Sequence, residues 1–157
     1  RIDYDTALDS LHQISKAKTT FSCFTAILAS GVVGSGTAII QNGGFGEVIV
    51  AFFAAALVRS IAHLIVRLNG VPFVFEFLGG ATTALLGVWA CNMFPNLYRD
   101  AIIIGGIMPM VPGVAITNSL RDLMAGYLLT GVARGMEAVV TTAAVAMGVI
   151  IVLAGLG

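Results

Sequence analysis

Gly105–Gly106–Ile107–Met108–Pro109–Met110–Val111–Pro112–Gly113 places two prolines and three glycines inside a stretch that carries no charge from Ala101 to Leu120. Each proline lacks an amide donor, and its ring clashes with the carbonyl four residues earlier, so no helix runs straight through both. The surroundings are those of a membrane protein. Of 157 residues, 58% are apolar and only 10% charged, against roughly 25% charged in an ordinary soluble domain. Mean hydropathy is +0.99. So few charges cannot coat a water-soluble globule, and disorder needs the opposite composition. In lipid, freed backbone groups survive only where protein or a water-filled cavity covers them. The stretch therefore predicts a span broken near mid-membrane and lined by a cavity. Secondary transporters put their ion and carboxylate sites at such breaks. The competing reading is a packing kink with no ligand.

Working outward, the gaps between charges give the other spans, each needing about 20 helical residues. The expected fold is all-α, with five transmembrane helices at about 20–40, 46–66, 71–94, 101–118 and 130–156. The second carries Glu47 near its start and Arg59 and His63 in its second half. Turn signals separate them: Gln41–Asn42–Gly43–Gly44, Arg67–Leu68–Asn69–Gly70 with Pro72, Asn92 to Asp100, and Asn118 to Gly126 with Arg121–Asp122. Trp89, Phe94, Tyr98 and Tyr127 sit near these ends, as interfacial anchors do. Ahead of the transmembrane domain (19–157), residues 1–18 are polar, with Ile2, Tyr4, Leu8, Leu11 and Ile14 recurring at helical intervals. That predicts an amphipathic helix in the interface or on a soluble part of the protein. Arg1 opens the sequence in place of Met, so a longer polar segment or a leader is expected ahead of it. With the N-terminus cytoplasmic, Lys16, Lys18, Arg67, Arg121 and Arg134 fall at cytoplasmic ends and Arg59 in the cytoplasmic half, leaving only Arg99 outside. The expected topology is N-in, C-out.

Several side chains could carry chemistry. Thr117, Asn118 and Ser119 follow the break, with Arg121 and Asp122 just beyond. They read either as a polar path lining, with Arg121 attracting carboxylates, or as the cap and first turn of the next helix. Pro109, Pro112 and Gly113, together with Thr117, Asn118 and Arg121, are the candidate substrate-binding residues. Glu76 and Glu137 lie inside spans, where ionisable groups are costly and face the bundle interior. A carboxyl group in a dry site favours its protonated form, which is a device for proton coupling. The alternative is pairing: Glu76 with Arg59 or His63, and Glu137 with Arg134 one turn away. Arg59, His63, Asp122 and Arg134 are then structural polar groups. Glu47 is expected near the outer interface, in water. Ser30-x-x-x-Gly34, Gly31-x-x-x-Ser35 and Gly131-x-x-x-Gly135 are close-packing signals. His-Glu-x-x-His, Gly-x-Ser-x-Gly and phosphate-loop patterns are missing from the sequence. Cys23 and Cys91 lie in apolar runs and read as buried hydrophobes, so no metal, cofactor or enzyme is expected. Eight basic residues balance eight acidic ones, which gives no reason to expect a nucleic-acid partner.

The run Ile103 to Gly113, then Thr117–Asn118–Ser119–Leu120–Arg121–Asp122–Leu123, then Ala125–Gly126 and Gly131 to Arg134, resembles the threonine/serine exporter family, in both its ThrE type and its split YjjP-like subunits. The order of spans fits over essentially the whole chain. One departure is Tyr127, where the family often has an acidic residue; this weakens any role for a carboxylate at that place. The resemblance implies export of small carboxylate metabolites, threonine and serine or a dicarboxylate such as succinate, driven by protons across a bacterial inner membrane. It also implies two five-span halves, fused or supplied as separate subunits. Because five is odd, a related second half must be inverted, and inverted repeats build alternating-access transporters. A partner half and a higher oligomer are therefore expected. Two further readings are a scaffold or regulatory subunit whose partner carries the path, and a channel.

Overall fold

The computed structural model describes residues 22–67 and 73–156. The amphipathic helix expected over 1–18 lies outside the described residues. The elements are helices α1 (Cys23–Ile40), α2 (Phe45–Arg67), α3 (Val74–Met93) and α4 (Arg99–Ile107), a 3₁₀ turn (Met108–Met110), and helices α5 (Gly113–Met124) and α6 (Leu128–Leu156). The fold is all-α among the described residues. By length and composition α1, α2, α3 and α6 can each cross a membrane, and α4 with α5, bent by 56°, makes a fifth crossing if the pair counts as one span.

Local chemistry sets the ends. After α1, Asn42 takes the left-handed conformation (φ 57°). Its amide donates to Ile39 O, and the Gly43 amide donates to Ala38 O, a paired closure that satisfies two end carbonyls. The same closure ends α5. Gly126 is left-handed (φ 86°), its amide donates to Leu123 O, and the Tyr127 amide donates to Asp122 O. The helix stop is thus Gly126, and the expected loop of 118–126 is corrected: Asn118, Ser119, Arg121 and Asp122 are all helical. Charges alone do not end a helix; a residue able to turn left-handed does. Phe94, Tyr98 and Tyr127 are exposed at helix ends, and Trp89 one turn inside, consistent with anchoring at an interface.

Small residues set the packing. α1 lies on α2 and α4; α3 lies on α2, α4 and α6; α5 lies on α6. A Cβ on Gly34 would stand 2.6 Å from Ala55 Cβ and 2.9 Å from the Gly105 carbonyl oxygen. One on Gly105 would stand 2.7 Å from the Gly34 carbonyl oxygen. Backbones that close are how membrane helices gain contact without a hydrophobic drive between them. Gly80 against the Val145 carbonyl and Gly148 against the Phe77 carbonyl do the same for α3 and α6. Ile102, Val58 and Thr83 are the largest fully buried side chains. By contrast Val132, Met136, Val139, Met147 and Ile150 of α6 are exposed, as apolar groups facing lipid would be.

Two leucine substitutions separate close packing from mere helix composition. Gly148→Leu drives a side chain into the Phe77 backbone and is expected to lower stability by about 1–3 kcal/mol. A Cβ on Gly36 would meet nothing within 4 Å, and Gly36→Leu is expected to show no such loss. Thermal melting of the purified protein in detergent compares them.

Candidate functional site at the broken span

Pro109 cannot donate to the Gly105 carbonyl, nor Pro112 to that of Met108, so the α-ladder of α4 stops. The chain closes its own gap. The Val111 amide donates to Met108 O at 3.2 Å, and the Gly113 amide to Val111 O at 2.8 Å. Pro112, at φ −79° and ψ 53°, is the centre of that second bond, an inverse γ-turn. α5 then starts, its first ladder bond running from the Ile116 amide to Pro112 O at 3.1 Å. Val114 and Ala115 lie in the first turn, where amides have no partner within the helix. Gly113 is exposed, and a Cβ there would meet nothing within 4 Å. The break expected from the prolines is present and open on one side.

Met110 turns inward from the 3₁₀ turn. It is buried with Val58 and Val145 and presses on Gly79, where an added Cβ would lie 2.5 Å from its terminal methyl. Glu76 stands one helical turn before Gly79, about 5 Å along α3. Its Oε2 is buried without a hydrogen-bond partner. Glu76 is thus one helical turn from the point on α3 that the Met110 side chain reaches. Pairing of Glu76 with Arg59 or His63 does not occur within 4 Å; Arg134–Asp122 is the ion pair among the described residues.

The other candidates lie elsewhere. Thr117 is exposed, and its hydroxyl donates to its own helix, 3.1 Å from both Gly113 O and Val114 O. Asn118 is half-buried and Arg121 exposed. A groove of about 500 Å³ runs between α5 and α6 past Ile116, Ser119, Leu120, Gly135, Val139 and Thr142. Pro109, Pro112, Gly113, Thr117, Asn118 and Arg121 do not line it. The expected pair of Glu137 with Arg134 is replaced: Glu137 is exposed, and Arg134 Nη1 stands 3.1 Å from Asp122 Oδ2. That contact is an ion pair by distance alone, because Oδ2 gains no hydrogen bond from it. The reason is spatial. The turn at Gly126 folds α5 back on α6, so Asp122 comes nearer than a residue one turn along.

Sequence reasoning missed two residues. Ser119 is buried, and its hydroxyl donates to Gly131 O at 2.7 Å, so it stitches α5 to α6 and caps nothing. Glu47, expected in water, is 3% exposed, and its Oε1 accepts the Tyr98 amide at 2.9 Å. Tyr98 precedes α4 and has no side-chain cap of its own. A carboxylate from another helix thus serves the entry to the broken span. An acidic residue just after Gly43–Gly44 does signal the first turn of a helix, but its partner is not visible in the local pattern.

This is the build of a multi-pass membrane chain: four helices able to cross a bilayer and one bent pair, which is either a broken span or a re-entrant loop. A family model described as "Putative threonine/serine exporter" matches residues 1–155, and the chain belongs to that family. A "Probable threonine/serine exporter" of Mycobacterium tuberculosis (strain ATCC 25618 / H37Rv) is 24% identical over 151 residues, covering 96% of this chain and 28% of that protein. A "Probable succinate transporter subunit YjjP" of Escherichia coli (strain K12) is 28% identical over 116 residues, or 73% of this chain and 45% of that protein. The "Threonine/serine exporter" of Corynebacterium glutamicum is 23% identical over 144 residues, with shares of 88% and 29%. The chain spans less than half the length of each of these relatives. They are named as transporters, not enzymes. No solved structure matches.

Removing the Glu47 acceptor tests the interhelical cap. Glu47→Ala leaves the part-buried Tyr98 amide without its charged acceptor and is expected to cost about 1–3 kcal/mol. Glu47→Gln keeps an acceptor and should recover most of it, as read by melting in detergent.

Proposed function

We propose that the chain is one half of a proton-coupled secondary exporter of small carboxylates, threonine and serine or a dicarboxylate such as succinate. The observation that carries this reading is the buried, unpartnered Oε2 of Glu76, one turn from the Gly79 that seats Met110. A titratable group thus lies one helical turn from the side chain that the interrupted backbone sends inward. Family membership supports the export direction, and the relatives' names supply the two substrate classes. In this mechanism the substrate carboxylate docks at the break around Pro109, Pro112 and Gly113, on the free amides at the start of α5. Thr117, Asn118 and Arg121 guide it along α5. Glu76 takes a proton as the site dries and gives it up on the other side. Glu137, exposed on α6, is the second candidate carrier. A second five-helix half, fused or separate and inverted, completes the path. The N-terminus is cytoplasmic, and the membrane is the bacterial inner membrane.

A second reading has a specific support, because one relative is named a subunit and the groove of this chain misses the break. In it the chain is a scaffold or regulatory subunit, and Pro109 or Asn118 substitutions impair assembly while assembled complexes keep full flux.

Proteoliposome flux decides. Glu76→Gln is expected to abolish the dependence of succinate or threonine flux on a proton gradient, and unaltered coupled flux removes Glu76 from the mechanism. Pro112→Ala, which restores an amide and relaxes the turn, is expected to lower flux tenfold or more, about 1.4 kcal/mol in the barrier, while complex assembly by size-exclusion chromatography is retained.

A further inference from the structure

Arg59 and His63 do not meet Glu76, and they do something else. They stand four residues apart on one face of α2, neighbours along the helix. With Ala62 between them and Cys23, Ala26 and Ile27 of α1 opposite, they line a cavity of about 200 Å³. The walls are small and apolar, and both polar lining groups are nitrogen donors. Among the described residues no carboxylate comes within 4 Å of either. Arg59 and His63 are both exposed on this chain, and Arg59 stands about 12 Å along α2 from the end at Arg67, inside the span, where an unopposed cation is costly and a counter-anion is favoured. Its guanidinium presents a planar fork of donors that matches an oxyanion, and the imidazole adds one donor more.

We propose that this pocket between α1 and α2 is an oxyanion-binding site, with Arg59 as counter-ion and His63 as second donor, distinct from the broken span. Its volume admits the end of a small metabolite carboxylate or one lipid phosphate. It opens at the end of the bundle where α1 and α3 begin, the end that holds Glu76. A solute carboxylate held there waits beside the break. The proposal rests on the export reading for its choice of carboxylate probe, and its test reads binding without flux.

Cys23 lines the pocket and is exposed, so its labelling by a maleimide reports occupancy directly. The full-length protein, with other cysteines replaced by serine, is placed in phosphatidylcholine nanodiscs. Succinate at constant ionic strength is expected to slow Cys23 labelling at least threefold and saturably. Arg59→Gln is expected to remove the protection and Arg59→Lys to keep part of it, while His63→Gln weakens it. If succinate fails but phosphatidylglycerol nanodiscs protect Cys23 in an Arg59-dependent way, the oxyanion is a headgroup phosphate and the site stands. Should neither protect, or should protection persist in both Arg59→Gln and His63→Gln, the proposal is overturned. Wild-type protection is informative even if a variant misfolds. Protection without export defeats only the export reading; coupled export with Cys23 never protected defeats only this one.

Discussion

Hydrocarbon offers no partner to an unpaired amide or carbonyl, and this chain interrupts its own ladder in the middle of an apolar run. Everything around Pro109 and Pro112 answers that constraint. The 3₁₀ turn and the turn at Pro112 recover bonds locally. Met110 fills the space the interruption would leave, wedged among Gly79, Val58 and Val145. Gly34 and Gly105 let α1 and α4 approach backbone to backbone on the near side. The far side, at Gly113, is left open. Within this chain the break is covered on one flank and bare on the other.

The two halves of the broken span belong to different neighbourhoods. α4 packs into the group formed with α1, α2 and α3, and its entry is held by Glu47. α5 packs on α6, joined to it by Ser119 on Gly131 and by Asp122 with Arg134. The segment Val111–Gly113 therefore links that group to the α5–α6 hairpin, while α6 itself packs extensively along α3, most closely at Gly80 and Gly148. Glu76 lies on α3, one turn before the Gly79 that Met110 presses on.

Much of this was legible in the sequence where the physics is local. Strongly apolar runs signalled helices in the regions of α1, α2, α3 and α6, with α2 keeping Glu47 and Arg59 inside it, because lipid penalises charge along a span. The prolines announced the break. What depends on long-range proximity was not legible. Glu47 finds Tyr98 across 51 residues, and its neighbours in sequence say nothing of that amide. Arg134 chose Asp122 over Glu137 because Gly126 folds one helix back on the other. Asn118 to Gly126 reads as a turn when charge is taken as the stop signal, but the left-handed Gly126 is the true one. The pairing of Glu76 with Arg59 or His63, the alternative to a proton-coupling role, is not formed, because those two side chains line a pocket against α1.

The last helix has 29 residues, about 43 Å of α-helix, against a hydrocarbon slab of roughly 30 Å. The uncharged part, Ala138 to Leu156, fits that slab by itself, which leaves the turns bearing Arg134 and Glu137 free to stand among the headgroups. Because Ser119 and Asp122 stitch α5 to those same turns, the second half of the bent pair is tied to the end of α6 that water and headgroups can reach.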